Sequence, residues 1–208
     1  SILPLSHMFG QALGLFVPVL LKGSIVLSSE INPRRLIELI NTERAAALVT
    51  VPGQLDGLQR TLESAHGCNR RMRPSPGVWG FVRRWLRFFD VHRRFGLKFV
   101  AIVVGGAQLR QSMEHWWSQL GFVVVQGYGL TEASPVVAMN NPLKVKSGSL
   151  GTVLEGQSVK IADDGEILVR GDNVARYFGQ EETAGEDAWL QTGDIGQIGR
   201  ASCRERVC

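Results

Sequence analysis

Apolar residues in this chain fall into short blocks, and the blocks change in kind along its length. Residues 9–21 are mostly apolar and predict a buried helix, kinked because Pro18 has no N–H to give. GSIVLS at 23–28 predicts a strand. Asn32 then predicts a helix start, with Pro33 in the first position and Leu36, Ile37, Leu39 and Ile40 along one face. Residues 45–51 read as a buried strand, and Pro52-Gly53 turns the chain into a helix over 54–65. A helix over 79–95 sets Trp79, Val82, Trp85, Leu86 and Phe89 near one face. A strand at 97–104, a helix at 111–120 packing through Trp116, Trp117 and Leu120, and a strand from Phe122 complete the run. This alternation predicts an α/β fold with a parallel doubly wound sheet and flanking helices over residues 1–138. From residue 139 short strands separated by turns take over, at 149–153, 158–162 and 166–170, with Asp163, Asp164 and Gly165 as one turn. They predict a small antiparallel, β-barrel-like subdomain over 139–197. Residues 198–208 show no apolar period and are set aside as a tail outside the fold.

Composition narrows the class. At 208 residues and 44% hydrophobic content the chain can bury a substantial core. The longest early apolar run, residues 13–21, is too short to span a membrane and ends at Lys22. Cys68, Cys203 and Cys208 are too few and too scattered for a disulfide framework or a metal cluster, which points to a reducing cytoplasmic setting. The net charge of +4 is uneven: residues 70–94 carry eight arginines against Asp90, a local +7. The body outside this stretch and the tail is therefore mildly acidic, and the basic pI is no argument for nucleic acid. Within the basic stretch, helix 79–95 admits two readings. One is a surface helix packed through its aromatics; the other is an amphipathic helix that touches an anionic membrane or phosphates.

The chemistry-bearing stretch is FVVVQGYGLTE, residues 122–132. A β-branched strand ends at Gly127, Tyr128 and Gly129, at the carboxyl end of a parallel strand, where open α/β sheets bind ligands. Tyr128 offers a ring for stacking on a base, Thr131 a hydroxyl for phosphate, and Glu132 a carboxylate for Mg²⁺. A Gly-rich turn with a packed Tyr and a capping Thr would have the same spelling. Near the other end, Asp194 follows a Thr-Gly bend. Such a carboxylate can accept both hydroxyls of a ribose, or simply cap a turn.

YGLTE at 128–132 resembles the YGxTE signature of the adenylate-forming (AMP-binding) superfamily: acyl-CoA synthetases, luciferases and peptide-synthetase adenylation domains. PLSHMFG (4–10), GGAQL (105–109), GEILVRG (165–171) and WLQTGDIG (189–196) are similar to further segments of that superfamily, in its order. The wording GYGLTEASPVV followed by KIADDGEILVRG looks most like long-chain acyl-CoA synthetases. Arg176-Tyr177-Phe178, and the chain after Gln197, depart from the pattern.

The resemblance implies an AMP-forming acid–thiol ligase in fatty acid metabolism. ATP and a carboxylic acid give acyl-AMP and pyrophosphate, and coenzyme A then displaces AMP. It implies Thr131, Glu132 and His7 as catalytic residues, with Glu132 on Mg²⁺ and His7 beside the acyl pocket. It implies Gly105, Gly106, Ala107, Gly127, Tyr128, Gly129 and Asp194 around the nucleotide. A small-molecule acid is the expected partner, with no nucleic acid and with peripheral membrane contact through 79–95. The superfamily's phosphate loop would precede Ser1 and its mobile C-terminal domain would follow Asp194, so the chain reads as an internal fragment, inactive alone. Activation of aryl or amino acids, a luciferase-like use of the adenylate, and a basic membrane- or nucleic-acid-binding module remain as other readings. Acyl chain length and oligomeric state are not legible in the residues.

Overall fold

The structure is a computed structural model that describes residues 1–66, 78–133, 135–141, 148–175, 189–197 and 206–207. They form two compact units, Ser1–Val125 and Gln126–Cys208.

The first unit alternates strands and helices. Helix α3 (Pro33–Thr42) starts where the side chain of extended Asn32 accepts the N–H of Arg34, with Pro33 in the first turn. Its inward stripe buries Leu36 and Ile40. Strands β1 (Ala47–Thr50) and β2 (Ala101–Val104) pair in parallel, Ala47 opposite Ala101 through Thr50 opposite Val104. Between them run α4 (Pro52–His66), α5 (Val78–Arg87) and α6 (Phe89–Phe95). Helix α7 (Gln111–Gln119) leads to β3 (Val123–Tyr128), whose first residue donates its N–H to the Val100 carbonyl at 2.9 Å. Parallel strands need such crossovers, and helices supply them.

The core of this unit is aromatic. Phe95 stacks on Phe99 at 5.0 Å, and Trp117 meets Phe95 edge-on at 6.1 Å. Phe122 contacts both phenylalanines and Trp117 at 5.4 to 5.6 Å. Leu55, Leu58 and Leu62 of α4 and Ile102 and Val104 of β2 close around them. His92 lies fully buried against Trp85 and Phe122. Its Nε2 is 2.8 Å from the Leu120 carbonyl, an acceptor, so this nitrogen carries the proton. Burial lowers the His92 pKa, against a smaller opposite pull from that hydrogen bond, and the ring sits in the core as neutral imidazole.

Three expectations are corrected here. Residues 9–21 do not form one buried helix: α1 (Met8–Gln11), a π-helical turn (Ala12–Phe16) and α2 (Val17–Leu20) follow one another. Pro18 cannot donate and its ring crowds the preceding turn, and the wider turn just before it takes up the misfit. The second half of the segment faces outward, with Phe16 at 54% and Leu20 at 80% exposure, while Phe9, Leu13 and Leu15 are half-buried. Residues 23–28 form no strand: the Ser1 amino group donates to the Val26 carbonyl, the Ser1 carbonyl accepts from Ser28, and the Gly23 N–H goes to the Pro18 carbonyl. The helix expected over 79–95 breaks at Phe88, which leaves helical geometry between α5 and α6. Val82, Leu86 and Phe89 of that segment are exposed, whereas Val91 and Phe95 are buried. The side chain of Trp79 lies outside the described residues. Among the described residues no helix is long and apolar enough to cross a membrane.

In the second unit the end of β3 pairs antiparallel with β4 (Ala138–Met139), and β4 with β5 (Gly151–Val153). Two residues of the stretch set aside as a tail, β9 (Arg206–Val207), pair with β5. Strands β6 (Gln157–Ile161), β7 (Glu166–Gly171) and β8 (Leu190–Ile195) form a separate antiparallel meander. The β6–β7 turn is as expected: Gly165 takes a φ of +89°, and the Asp164 carboxylate accepts from the Glu166 N–H. The barrel is corrected. Among the described residues the three-stranded sheet is open, with β6 and β8 as its edges, because no pairing joins them. Ala133, Val137, Val159, Ile167 and Val169 make this unit's core. Arg176, Tyr177 and Phe178 lie outside the described residues.

Candidate functional site

The site in the second unit begins with an irregularity in pairing. Glu166 of β7 stands opposite Ile195, but Leu168 stands opposite Gln191, so Thr192, Gly193 and Asp194 together face the single Ile167. Such a bulge re-aims side chains, and here it is held by both strands. The Thr192 hydroxyl donates to the Ile167 carbonyl at 2.7 Å and accepts the Asp194 N–H at 3.1 Å. Glu166 Oε1 accepts the Gly193 N–H at 2.8 Å. Gly193 takes a φ of +73°, where a side chain would be strained. The bend presents Asp194 to solvent as an exposed carboxylate.

The partner of that carboxylate comes from the β3 loop. The Tyr128 hydroxyl donates to Asp194 Oδ2 at 2.7 Å, across 66 positions of sequence. Burial raises the Tyr128 phenol pKa far above its usual value; a hydrogen bond with the Thr192 side chain opposes this, while the bond to Asp194 and its charge add to it, so the phenol stays a donor. Gly129 follows, and a Cβ there would overlap the Pro135 carbonyl; only glycine fits this close passage. The chain then makes a 3₁₀ turn (Thr131–Ala133) anchored by buried Ala133. Thr131 is exposed and Glu132 half-buried. The Glu132 carbonyl accepts the Ala175 N–H at 2.6 Å, which fixes the backbone from which its carboxylate projects.

The first unit holds the other candidates. Gly105 follows β2, and a Cβ on it would overlap the Phe9 ring, so the GGAQL and PLSHMFG segments meet there. Gly106 takes a φ of +78°, and Gly106 and Ala107 are exposed. His7 is exposed just before α1 and makes no capping bond. Among the described residues no three His, Cys, Asp or Glu side chains gather as a metal cluster.

Glu166 and Thr192 carry the bulge yet had no role in the sequence reading. Their signal was present, since both stand inside the GEILVRG and WLQTGDIG segments. Only the pairing register shows what they do.

Over residues 1–178 the chain matches the family described as AMP-binding enzyme. The chain belongs to the AMP-binding enzymes. Among curated relatives, the long-chain-fatty-acid–CoA ligase FadD15 of Mycobacterium bovis is 30% identical over 94% of this chain and 36% of its own length. A 4-coumarate–CoA ligase of Narcissus pseudonarcissus is 28% identical over 95% of this chain and 35% of its own. The AMP-binding chain thus spans about a third of these relatives. Among solved structures, the N-terminal domain of FACL13 from Mycobacterium tuberculosis superposes with a TM-score of 0.71 at 20% identity, covering all of this chain and 49% of that one. The o-succinylbenzoate–CoA synthetase of Bacillus subtilis, solved with ATP and a magnesium ion, gives 0.69 at 24% identity, over all of this chain and 40% of that one. At these identities the superpositions establish the AMP-binding enzyme's α/β fold.

Proposed function

We propose that this chain is the nucleotide-carrying part of an AMP-forming acid–CoA ligase acting on fatty acids. One observation carries the reading: the 2.7 Å bond from Tyr128 to Asp194, which joins the ends of two motifs in one small unit. A ring, a carboxylate able to accept a ribose diol, and the Thr131-Glu132 turn on the same unit are the groups a nucleoside triphosphate requires. In this reading the Tyr128 ring stacks on adenine, Asp194 binds ribose, Thr131 contacts phosphate and Glu132 holds the Mg²⁺ that accompanies ATP. Gly127 and Gly129 let the backbone pass close to the nucleotide. In the first unit, Gly105, Gly106 and Ala107 take the nucleotide-binding role, and His7 the gating or polarising role, that the family likeness implies. Mg²⁺ held through Glu132 would supply neutralisation of the phosphate charge; the substrate's carboxylate oxygen attacks the α-phosphate and pyrophosphate leaves, giving acyl-AMP. In a second step the thiol of coenzyme A takes the acyl group and AMP leaves. The FadD15 relative favours a fatty acid, and the cysteine usage favours the cytoplasm.

The test is acid-dependent ATP–pyrophosphate exchange by the full-length enzyme over a panel of acids. Exchange should rise with long-chain fatty acids and yield thioester once coenzyme A is added. Exchange with 4-coumarate, o-succinylbenzoate or amino acids alone would move the substrate class, light emission would indicate oxidative use, and exchange with no acid would end the ligase reading.

Peripheral membrane contact belongs to the same proposal. Val82, Leu86 and Phe89 are exposed beside exposed Arg83 and Arg87, an apolar edge flanked by cations that suits an anionic bilayer. Vesicles containing phosphatidylserine should bind the enzyme at low salt and release it as salt rises, with binding lost in Arg83→Gln/Arg87→Gln. Equal binding to neutral vesicles would remove the electrostatic contact.

A further inference from the structure

Tyr128 carries two separable groups, a ring and a hydroxyl, and the reading above gives only the ring a role at the nucleotide. The hydroxyl has one proton, and it goes to Asp194 Oδ2 at 2.7 Å. Asp194 needs such a tether. It is exposed, it follows a glycine in left-handed geometry, and the bonds from Thr192 and Glu166 fix the bulge backbone but not the carboxylate. A carboxylate has about four acceptor sites, so one bond from Tyr128 leaves room for two diol hydroxyls. A fixed acceptor binds a diol better than a rotating one, because the rotamer entropy has already been lost.

We propose that the Tyr128 hydroxyl is a positioning group that presets Asp194 for a vicinal diol, so that the preference for ribo- over deoxyribonucleotides depends on it. This rests on the reading of Asp194 as the ribose acceptor. The hydroxyl acts through Asp194, so its loss changes how nucleotides are ranked.

The test compares ATP with 2′-deoxyATP in pyrophosphate exchange by the full-length enzyme, for wild type, Tyr128→Phe, Asp194→Asn and the double variant. Hydrogen bonds to charged groups contribute on the order of tenfold or more in binding, and the expected changes have that size. Wild type should prefer ATP. Tyr128→Phe, which keeps the ring, should raise the ATP KM by about tenfold with kcat within about twofold, and shrink the ATP preference by a similar factor. The double variant should be no worse than Asp194→Asn, as for groups acting in one line. If Tyr128→Phe weakens both nucleotides equally, the positioning role is overturned while the ligase reading stands. If wild type uses both nucleotides equally, Asp194 is not at the ribose and the inference falls. Should Tyr128→Phe fail to fold, Asp194→Glu, which shifts the carboxylate by one methylene, must narrow the same preference; an unchanged preference overturns the proposal.

Discussion

Carboxylate-dependent pyrophosphate exchange should vanish when Glu132 of the full-length enzyme becomes alanine. The side chain stands on the Thr131–Ala133 turn, pinned on one side by buried Ala133 and on the other by the bond from the Ala175 N–H to the Glu132 carbonyl. Both restraints are local backbone and packing, so the alanine variant should keep the turn. Among the described residues no cluster of acidic, His or Cys side chains stands ready as a substitute. Charge stabilisation by fixed groups supplies much of the rate in such transfers, and removing one such group costs on the order of 10²–10³ in rate. If Glu132 is the carboxylate that meets the Mg²⁺ of the nucleotide, as proposed, the loss should reach the limit of detection. Glu132→Gln, which keeps the shape and removes the charge, should lose nearly as much, with the melting temperature of both variants near that of wild type. Exchange at wild-type level in Glu132→Ala would take this residue out of the mechanism.

Trp117→Ala should cost the first unit about 3–5 kcal/mol, the range for removing a fully buried large aromatic. Trp117 has no exposed surface and touches Phe95, Phe122 and Trp116. Its loss would leave a cavity lined by rings whose backbones belong to different elements and cannot collapse together. Against a typical total of about 5–15 kcal/mol, that brings the unit near its threshold. Trp117→Phe should be far milder. The indole N–H is buried without a partner among the described residues, so the phenylalanine variant removes a donor that was already unsatisfied. Urea midpoints of the two variants make the comparison. An alanine variant within about 1 kcal/mol of wild type would show that the aromatic cluster is not what holds this unit.

Elements defined by local chemistry were legible in the residues. The Asn32-Pro33 start of α3 and the Gly165 turn appear as read, because a cap or a turn depends on a few neighbours. Elements that depend on distant partners were less so. GSIVLS has strand composition, but its bonds go to Ser1 and Pro18 and build no ladder. The apolar character of residues 9–21 suggested burial, yet hydrophobicity alone does not say that a partner surface is present. The same limit applies to the barrel, since closure is a property of pairing between edges that no strand encodes by itself. At the site, Tyr128, Glu132 and Asp194 could each be singled out from type and motif. The bond between Tyr128 and Asp194 could not, because it spans 66 positions and depends on a shift of register. For that reason Glu166 and Thr192 passed as strand residues.

The three-against-one pairing at Ile167 makes the site vulnerable in an unusual way. Side chains alternate along a strand with a period of two, so dropping one residue from the trio would turn everything downstream to the opposite surface. Asp194 and Ile195 would exchange sides, and the acid would turn away from the Tyr128 hydroxyl. Codon loss or gain in that span is therefore the most damaging kind of change, more so than most amino-acid replacements.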